Sequence, residues 1–174
     1  MSAVFSAPPE PWNAAPVLAF RAFTEADVMK VSAIEAEVYV FPWSAGNFRD
    51  SLFSGYRCIG AWADRELVSY AVVMTALDEA HLLNLAVAKE WQQRGVGAKM
   101  LTHIIEELKA IPLEMIYLEV RPSNLAGRRL YERFRFKQLG MRRDYYPALT
   151  GREDAIFLGL NIMPGLNIAP KKIG

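Results

Sequence analysis

An α+β fold, with a mixed, mostly antiparallel central sheet of about seven strands and four flanking helices, is the architecture this sequence predicts. Three observations carry the prediction. Short strand-like apolar runs outnumber the helical stretches. Three of those runs are separated only by Asp64-Arg65 and Asp78-Glu79, the spacing of antiparallel hairpins. Further on, helix, strand and helix alternate before two closing strands. The 174 residues suit one domain, 17–162, between tails at 1–16 and 163–174 whose Pro, Ala and Gly content opposes regular structure.

Residues 17–23 read as the first strand. Thr24 and Asp27 then have capping-box spacing, and Val28, Val31, Ile34 and Val38 recur at helical intervals. After the turn Phe41-Pro42-Trp43, Ser44 can cap a second short helix running to about Phe53, and Gly55 releases the chain. Residues 56–63, 67–77 and 80–87 follow as three strands. The next helix sets Val96, Met100, Leu101, Ile104, Ile105 and Leu108 on one face, with Thr102, His103, Glu106, Glu107 and Lys109 largely off it, and Pro112 ends it. Residues 115–120 are a strand, 124–134 a helix, and 136–143 and 155–161 the closing strands, joined by a long loop.

Composition excludes several classes. A formal net charge of +1 shows no global basic excess, so no direct nucleic-acid contact is expected. Cys58 is the one cysteine, which rules out an internal disulfide framework; it reads as a small buried thiol, and a reducing cytoplasm is the expected home. With only His81 and His103 besides, no metal-ligand cluster is present. No apolar run approaches the roughly 18 residues of a spanning helix, and the first residues lack a basic segment followed by a hydrophobic core, so neither membrane nor secretion is indicated.

The most informative stretch is LLNLAVAKEWQQRGVGAKML, residues 82–101, where an apolar strand breaks into a glycine loop and an amphipathic helix begins. Gly95 and Gly97 remove Cβ atoms that would hold a ligand off the main chain, and the unpaired N–H groups of a helix start make an anion seat. A pyrophosphate, and hence a nucleotide-like cofactor, is implied. A dinucleotide fingerprint would need glycine where Met100 stands, and a P-loop would need Gly-Lys-Ser/Thr where Ala98, Lys99 and Met100 run. The spacing Gln92-x-x-Gly95-x-Gly97 instead resembles the acyl-CoA loop of the GNAT N-acetyltransferases, whose element order this chain shares. That resemblance implies acetyl-CoA as cosubstrate, and a sheet splayed between its fourth and fifth strands where the pantetheine arm enters.

Acyl transfer from a thioester to an amine needs a proton acceptor for the amine and a proton for the departing thiolate. In MIYLEV, alternation sends Ile116, Leu118 and Val120 one way and Met115, Tyr117 and Glu119 the other. Glu119 is thus a candidate general base, or a strand carboxylate paired with Arg121 or another cation. Leu130 and Phe134 share a core face of the next helix with Tyr131 rotated away, so Tyr131 is a candidate acid or an amphipathic packing residue. Asn124 can cap that helix and also donate to the cofactor.

Three segments narrow the resemblance: LEVRPSNLAGRRLYERFRF at 118–136, RRDYYPALTGREDAIFL at 142–158 and FPWS at 41–44 are similar to the bacterial ribosomal-protein-alanine N-acetyltransferases of the RimI type. By that resemblance Glu119 accepts the amine proton and Tyr131 protonates the thiolate. The backbone of Leu85, Ala86 and Val87 pairs with the pantetheine arm, Gln93, Arg94, Gly95, Val96, Gly97 and Ala98 surround the pyrophosphate, and Asn124 also touches the cofactor. Tyr145 and Tyr146, with Pro147 in the long loop, wall the mouth for a peptide end. The implied substrate is the N-terminal alanine of small-subunit ribosomal protein eighteen, with no metal and a monomer or weak dimer. A broader lysine or small-amine transferase, or a non-catalytic acyl-CoA sensor, stays open beside it. Ala98 departs from the family's usual basic residue at that position.

Overall fold

The computed structural model describes residues 17–163, so the predicted tails lie outside the described residues apart from Met163. Seven strands form one sheet: β1 (Ala19–Ala22), β2 (Arg57–Ala63), β3 (Glu66–Ala76), β4 (Glu79–Val87), β5 (Met115–Val120), β6 (Lys137–Pro147) and β7 (Arg152–Asn161). Their spatial order is β1-β2-β3-β4-β5-β7-β6, and β4 with β5 is the parallel pair among antiparallel neighbours.

Four helices cover the faces: α1 (Val28–Val38), α2 (Ala45–Phe53), α3 (Val96–Lys109) and α4 (Leu125–Arg133). On one side α3 buries Val96, Met100, Leu101, Ile104, Ile105 and Leu108 against Val68, Ala71, Leu82, Ile116 and Leu118, each large side chain contributing on the order of 2 kcal/mol. On the other side Val28, Val31 and Ile34 of α1 and Phe48 of α2 pack on Cys58, Tyr70 and Val72. Covered on both faces, β3 is buried without interruption from Leu67 to Val73, which is why its sequence runs apolar instead of alternating.

The β4–β5 ladder runs only from Glu79 opposite Met115 to Leu82 opposite Leu118. At that point β4 bulges: its register against β3 slips between Leu82 and Asn84, so Leu83 has no partner in β3. Past the bulge β4 follows β3 while β5 follows β7, and the two strands part at Asn84–Val87 and Glu119–Val120.

Several expectations are corrected. Thr24 and Asp27 do form a capping box, but it opens one 3-10 turn, Glu25–Asp27, before α1 starts at Val28. The first strand shrinks to four residues at the sheet edge. Leu77 leaves β3 with φ 54° and turns the chain into β4. The long loop between the closing strands is four residues, 148–151, because β6 runs on to Pro147 and places Tyr145 and Tyr146 within a strand. Register shifts in β6, between Gln138 and Gly140 and between Arg142 and Tyr146, broke the alternation that sequence reading needs.

Candidate active site

Where β4 ends, Gln92 Nε2 donates to the carbonyl of Val87 at 3.0 Å and fastens the glycine loop to the strand. Gln93 (φ 59°) and Gly95 (φ 77°) take left-handed conformations that turn the chain into α3, whose first-turn N–H groups have no intrahelical acceptor. A Cβ on Gly97 would stand 3.5 Å from Leu130 and 3.6 Å from Val87. Both are walls of the adjoining cleft, so the protein would tolerate the extra carbon and it is the cleft that glycine keeps open. Arg94 points elsewhere: its guanidinium lies 5.4 Å over the Trp91 ring, whose Nε1 donates to Glu66 at 3.1 Å, and it is not among the cleft's lining.

The cleft, of about 800 Å³, runs from this loop through the splay. Leu85, Ala86 and Val87 form one wall, Gln93 with Gly95 to Ala98 one end, and Asn124, Gly127 and Leu130 of α4 the facing wall. Asn124 caps α4 by accepting from Gly127 N at 2.9 Å. Tyr39, Tyr131, Arg121 and Glu153 lie toward the other end. A cleft with helix-start N–H groups at one end and an unpaired strand edge along its side could hold a pyrophosphate joined to an amide-bearing arm.

Tyr131 corrects the helix reading. It is the buried residue of α4, packed edge-on against Phe136 at 5.6 Å, while Leu130 and Phe134 are half-buried. Tyr131 joins the core cluster with Phe136, so the residue between the expected core positions points inward. Burial pushes the Tyr131 phenol up to about 12, which keeps it protonated at neutral pH. Tyr39 donates to the Leu85 carbonyl at 2.6 Å, inside the splay. Tyr39 is raised by burial and by the charges of Tyr131, Glu35 and Tyr146; Tyr146 is raised by burial and then by Glu119. Three phenols and Glu119 thus converge on one region.

Glu119 faces away from the α3 side, as alternation predicts, and pairs with Arg142 at 3.3 Å instead of Arg121. It is not in the cleft's lining, nor are Tyr145 and Tyr146; Tyr146 lies next to the lining residue Arg121, and Glu119 lies beside Tyr146. Tyr145 and Tyr146 pack edge-on at 4.9 Å, and Arg121 lies 4.2 Å over the Tyr146 ring. Arg121 also donates to Pro147 O at 2.8 Å and pairs with Glu153 at 3.2 Å, while Glu153 accepts from Ser123 N at 2.8 Å. Although burial opposes it, the Ser123 and Arg121 bonds hold the Glu153 carboxyl below its ordinary value.

Sequence reading missed the support beneath this site. Glu35 is buried, accepts from Tyr70 Oη, from Trp43 N at 2.7 Å and from Asn84 Nδ2 at 3.3 Å, and so ties β3, the α1–α2 turn and the bulged part of β4 together. One signal was legible: Glu35 falls on the Val28–Val31–Val38 face of α1, where a lone carboxylate needs donors. Among the described residues no group of three or more His, Cys, Asp or Glu side chains is arranged to hold a metal, and no helix is long and apolar enough to cross a membrane.

Residues 28–136 match the model of the Acetyltransferase (GNAT) family, more than half of the chain. The chain belongs to the GNAT acetyltransferase family. A relative from Salmonella typhimurium named [Ribosomal protein bS18]-alanine N-acetyltransferase is 40% identical over 129 residues, covering 74% of this chain and 87% of its own. The crystal structure of the ribosomal-protein-S18-alanine N-acetyltransferase from Escherichia coli superposes with a TM-score of 0.80 at 34% identity, over 88% of this chain and 99% of that one. The GNAT fold alone is shared with yncA of Salmonella typhimurium, solved with its cofactor acetyl-CoA: TM-score 0.69, 17% identity, 90% and 99% coverage. The parted β4 and β5 are the GNAT splay, and the chain is an acyltransferase enzyme of this family.

Proposed function

We propose that this GNAT enzyme transfers the acetyl group of acetyl-CoA directly to the α-amino group of the N-terminal alanine of ribosomal protein bS18. The names of the relatives at 34–40% identity support the substrate. The observation that carries the chemistry is the buried, protonated Tyr131 phenol on a cleft that ends at the glycine loop.

Acetyl-CoA supplies a thioester whose acyl carbon accepts the amine. The N–H groups of Gly95 to Ala98 hold the pyrophosphate, the backbone of Leu85 to Val87 aligns the pantetheine arm, and Asn124 contributes near the reactive end. As the C–N bond forms and the C–S bond breaks, Glu119 takes the proton lost by the amine and Tyr131 gives its proton to the thiolate sulfur. Water exchange then resets both side chains. Arg142 fixes the Glu119 carboxylate, and Tyr145 and Tyr146, packed on each other, wall the peptide's approach.

An α-amine suits so simple a base. With reference values, about a tenth of an α-amino group is neutral near pH 7, against well under a thousandth of a lysine side chain. Because the substrate is a ribosomal protein, the enzyme belongs in the cytoplasm. The test is a mass-resolved assay with acetyl-CoA, comparing an alanine-starting bS18 peptide with the same peptide blocked at its α-amine but keeping its lysines. Acetylation of the free peptide alone supports the proposal; acetylation of both moves the enzyme to broad amine specificity.

A further inference from the structure

The net charge of +1 conceals a segregated basic edge. Between Asn124 and Arg143 stand Arg128, Arg129, Arg133, Arg135, Lys137, Arg142 and Arg143, against the single acid Glu132. All seven cations are exposed. Arg133 lines the acetyl-CoA cleft and Arg142 holds Glu119, so both belong to the active site. The other five, Arg128, Arg129, Arg135, Lys137 and Arg143, make no ion pair among the described residues.

The fold gathers these charges. α4 passes through Arg135, with φ 65°, straight into β6, which is the edge strand of the sheet. Beside them, between α4 and β6–β7, lies a second groove of about 340 Å³. It is lined by Val120, Phe136, Ile156 and Leu158 together with Arg128, Arg129, Gln138 and one acid, Glu132. Leu125, more than half exposed, borders it as well.

We propose that this α4–β6 edge is a docking surface for single-stranded RNA, with phosphates on Arg128, Arg129, Arg135 and Lys137 and one base seated in the groove. Two features favour RNA over an acidic protein. Guanidinium groups meet phosphates two bonds at a time and also stack on bases, and all but one of the unpaired cations are arginines. A groove with apolar side chains beside arginines and a carboxylate that can accept a base N–H takes a planar ring, while the flanking cations follow a backbone. Such a contact tethers the enzyme to RNA-bearing particles without involving the catalytic groups, and it stands whether or not bS18 is the substrate.

The test measures binding of a 20-nucleotide mixed-sequence RNA to the full chain by fluorescence anisotropy across a salt series, with saturating acetyl-CoA present to occupy the cleft. Arg129→Ser/Arg135→Ser/Lys137→Ser is expected to weaken binding at least about tenfold and to lower the log–log salt slope by about 2, near 0.7 for each lost phosphate contact. Calorimetric acetyl-CoA binding by the same variant should stay within about twofold of the unaltered chain, a fold control that does not depend on the peptide substrate. Absence of RNA binding at low salt overturns the proposal, as does an unweakened variant. Displacement of the RNA by polyglutamate of equal charge, as effective as displacement by RNA itself, would assign the edge to an acidic protein instead.

Discussion

Tyr131 and Glu119 are the side chains on which the proposed transfer turns, and the structure sets them in different surroundings. Tyr131 is enclosed, so its phenol stays protonated; Glu119 keeps a charged partner, Arg142, at 3.3 Å. Tyr131→Phe removes one hydroxyl from a packed ring and should lower kcat by about a hundredfold with little change in the acetyl-CoA KM, as steady-state kinetics will report. Glu119→Gln should lower turnover on the alanine peptide by a similar factor while the calorimetric Kd for acetyl-CoA stays within about twofold. Equal losses in both quantities would reassign Glu119 to a structural role. Glu35 belongs to the same scale but to stability. Tyr70→Phe deletes a donor to a buried carboxylate, should cost about 1–3 kcal/mol, and should lower the thermal midpoint by several degrees.

At the scale of elements, the junctions do the positioning. The β4 bulge at Leu83 ends the parallel ladder and frees Leu85 to Val87 to face the cleft, where Tyr39 already meets one of their carbonyls. The turn from β4 into α3 depends on Gly95, whose left-handed φ costs another residue about 1–2 kcal/mol. Gly95→Ala should therefore raise the acetyl-CoA KM several-fold while the peptide KM changes little, a split visible when each substrate is varied in turn. Asn124 caps α4 and borders the cleft, and by proposal it also touches the cofactor. The hairpin of β6 and β7 is fastened to the turn before α4 by Arg121 and Glu153, so the wall carrying Tyr145 and Tyr146 is held to the element that carries Tyr131.

For the whole molecule, pH reads out the buried phenols in two ways. The rate on an α-amine should rise with pH as the amine loses its proton, pass half its maximum near pH 8, level off near pH 9, and stay flat to about pH 10 because Tyr131 remains protonated. Stability follows the opposite edge. Tyr131 binds its proton more tightly folded than unfolded, so its contribution is complete below the unfolded value of about 10 and is lost as pH climbs through about 12. Tyr39 and Tyr70, raised by burial and by Glu35, push in the same direction, and urea unfolding at pH 9 and pH 11 should show the loss. Much of this was legible in the linear chain. Hairpin spacing, the apolar face of α3 and the Gly95–Gly97 loop are local patterns, and local patterns survive any tertiary arrangement, so the sequence alone determined the element order, the glycine-loop end of the cleft and the side of β5 from which Glu119 projects. Tertiary structure decided the rest. Register shifts extended β6 over what read as loop, the packing of α4 turned Tyr131 inward, and Glu35, Tyr39, Tyr70 and Asn84 met across 49 residues of chain. No periodicity announces such meetings, because they depend on which strand lies beside which and on where a strand bulges, and only the folded sheet fixes both.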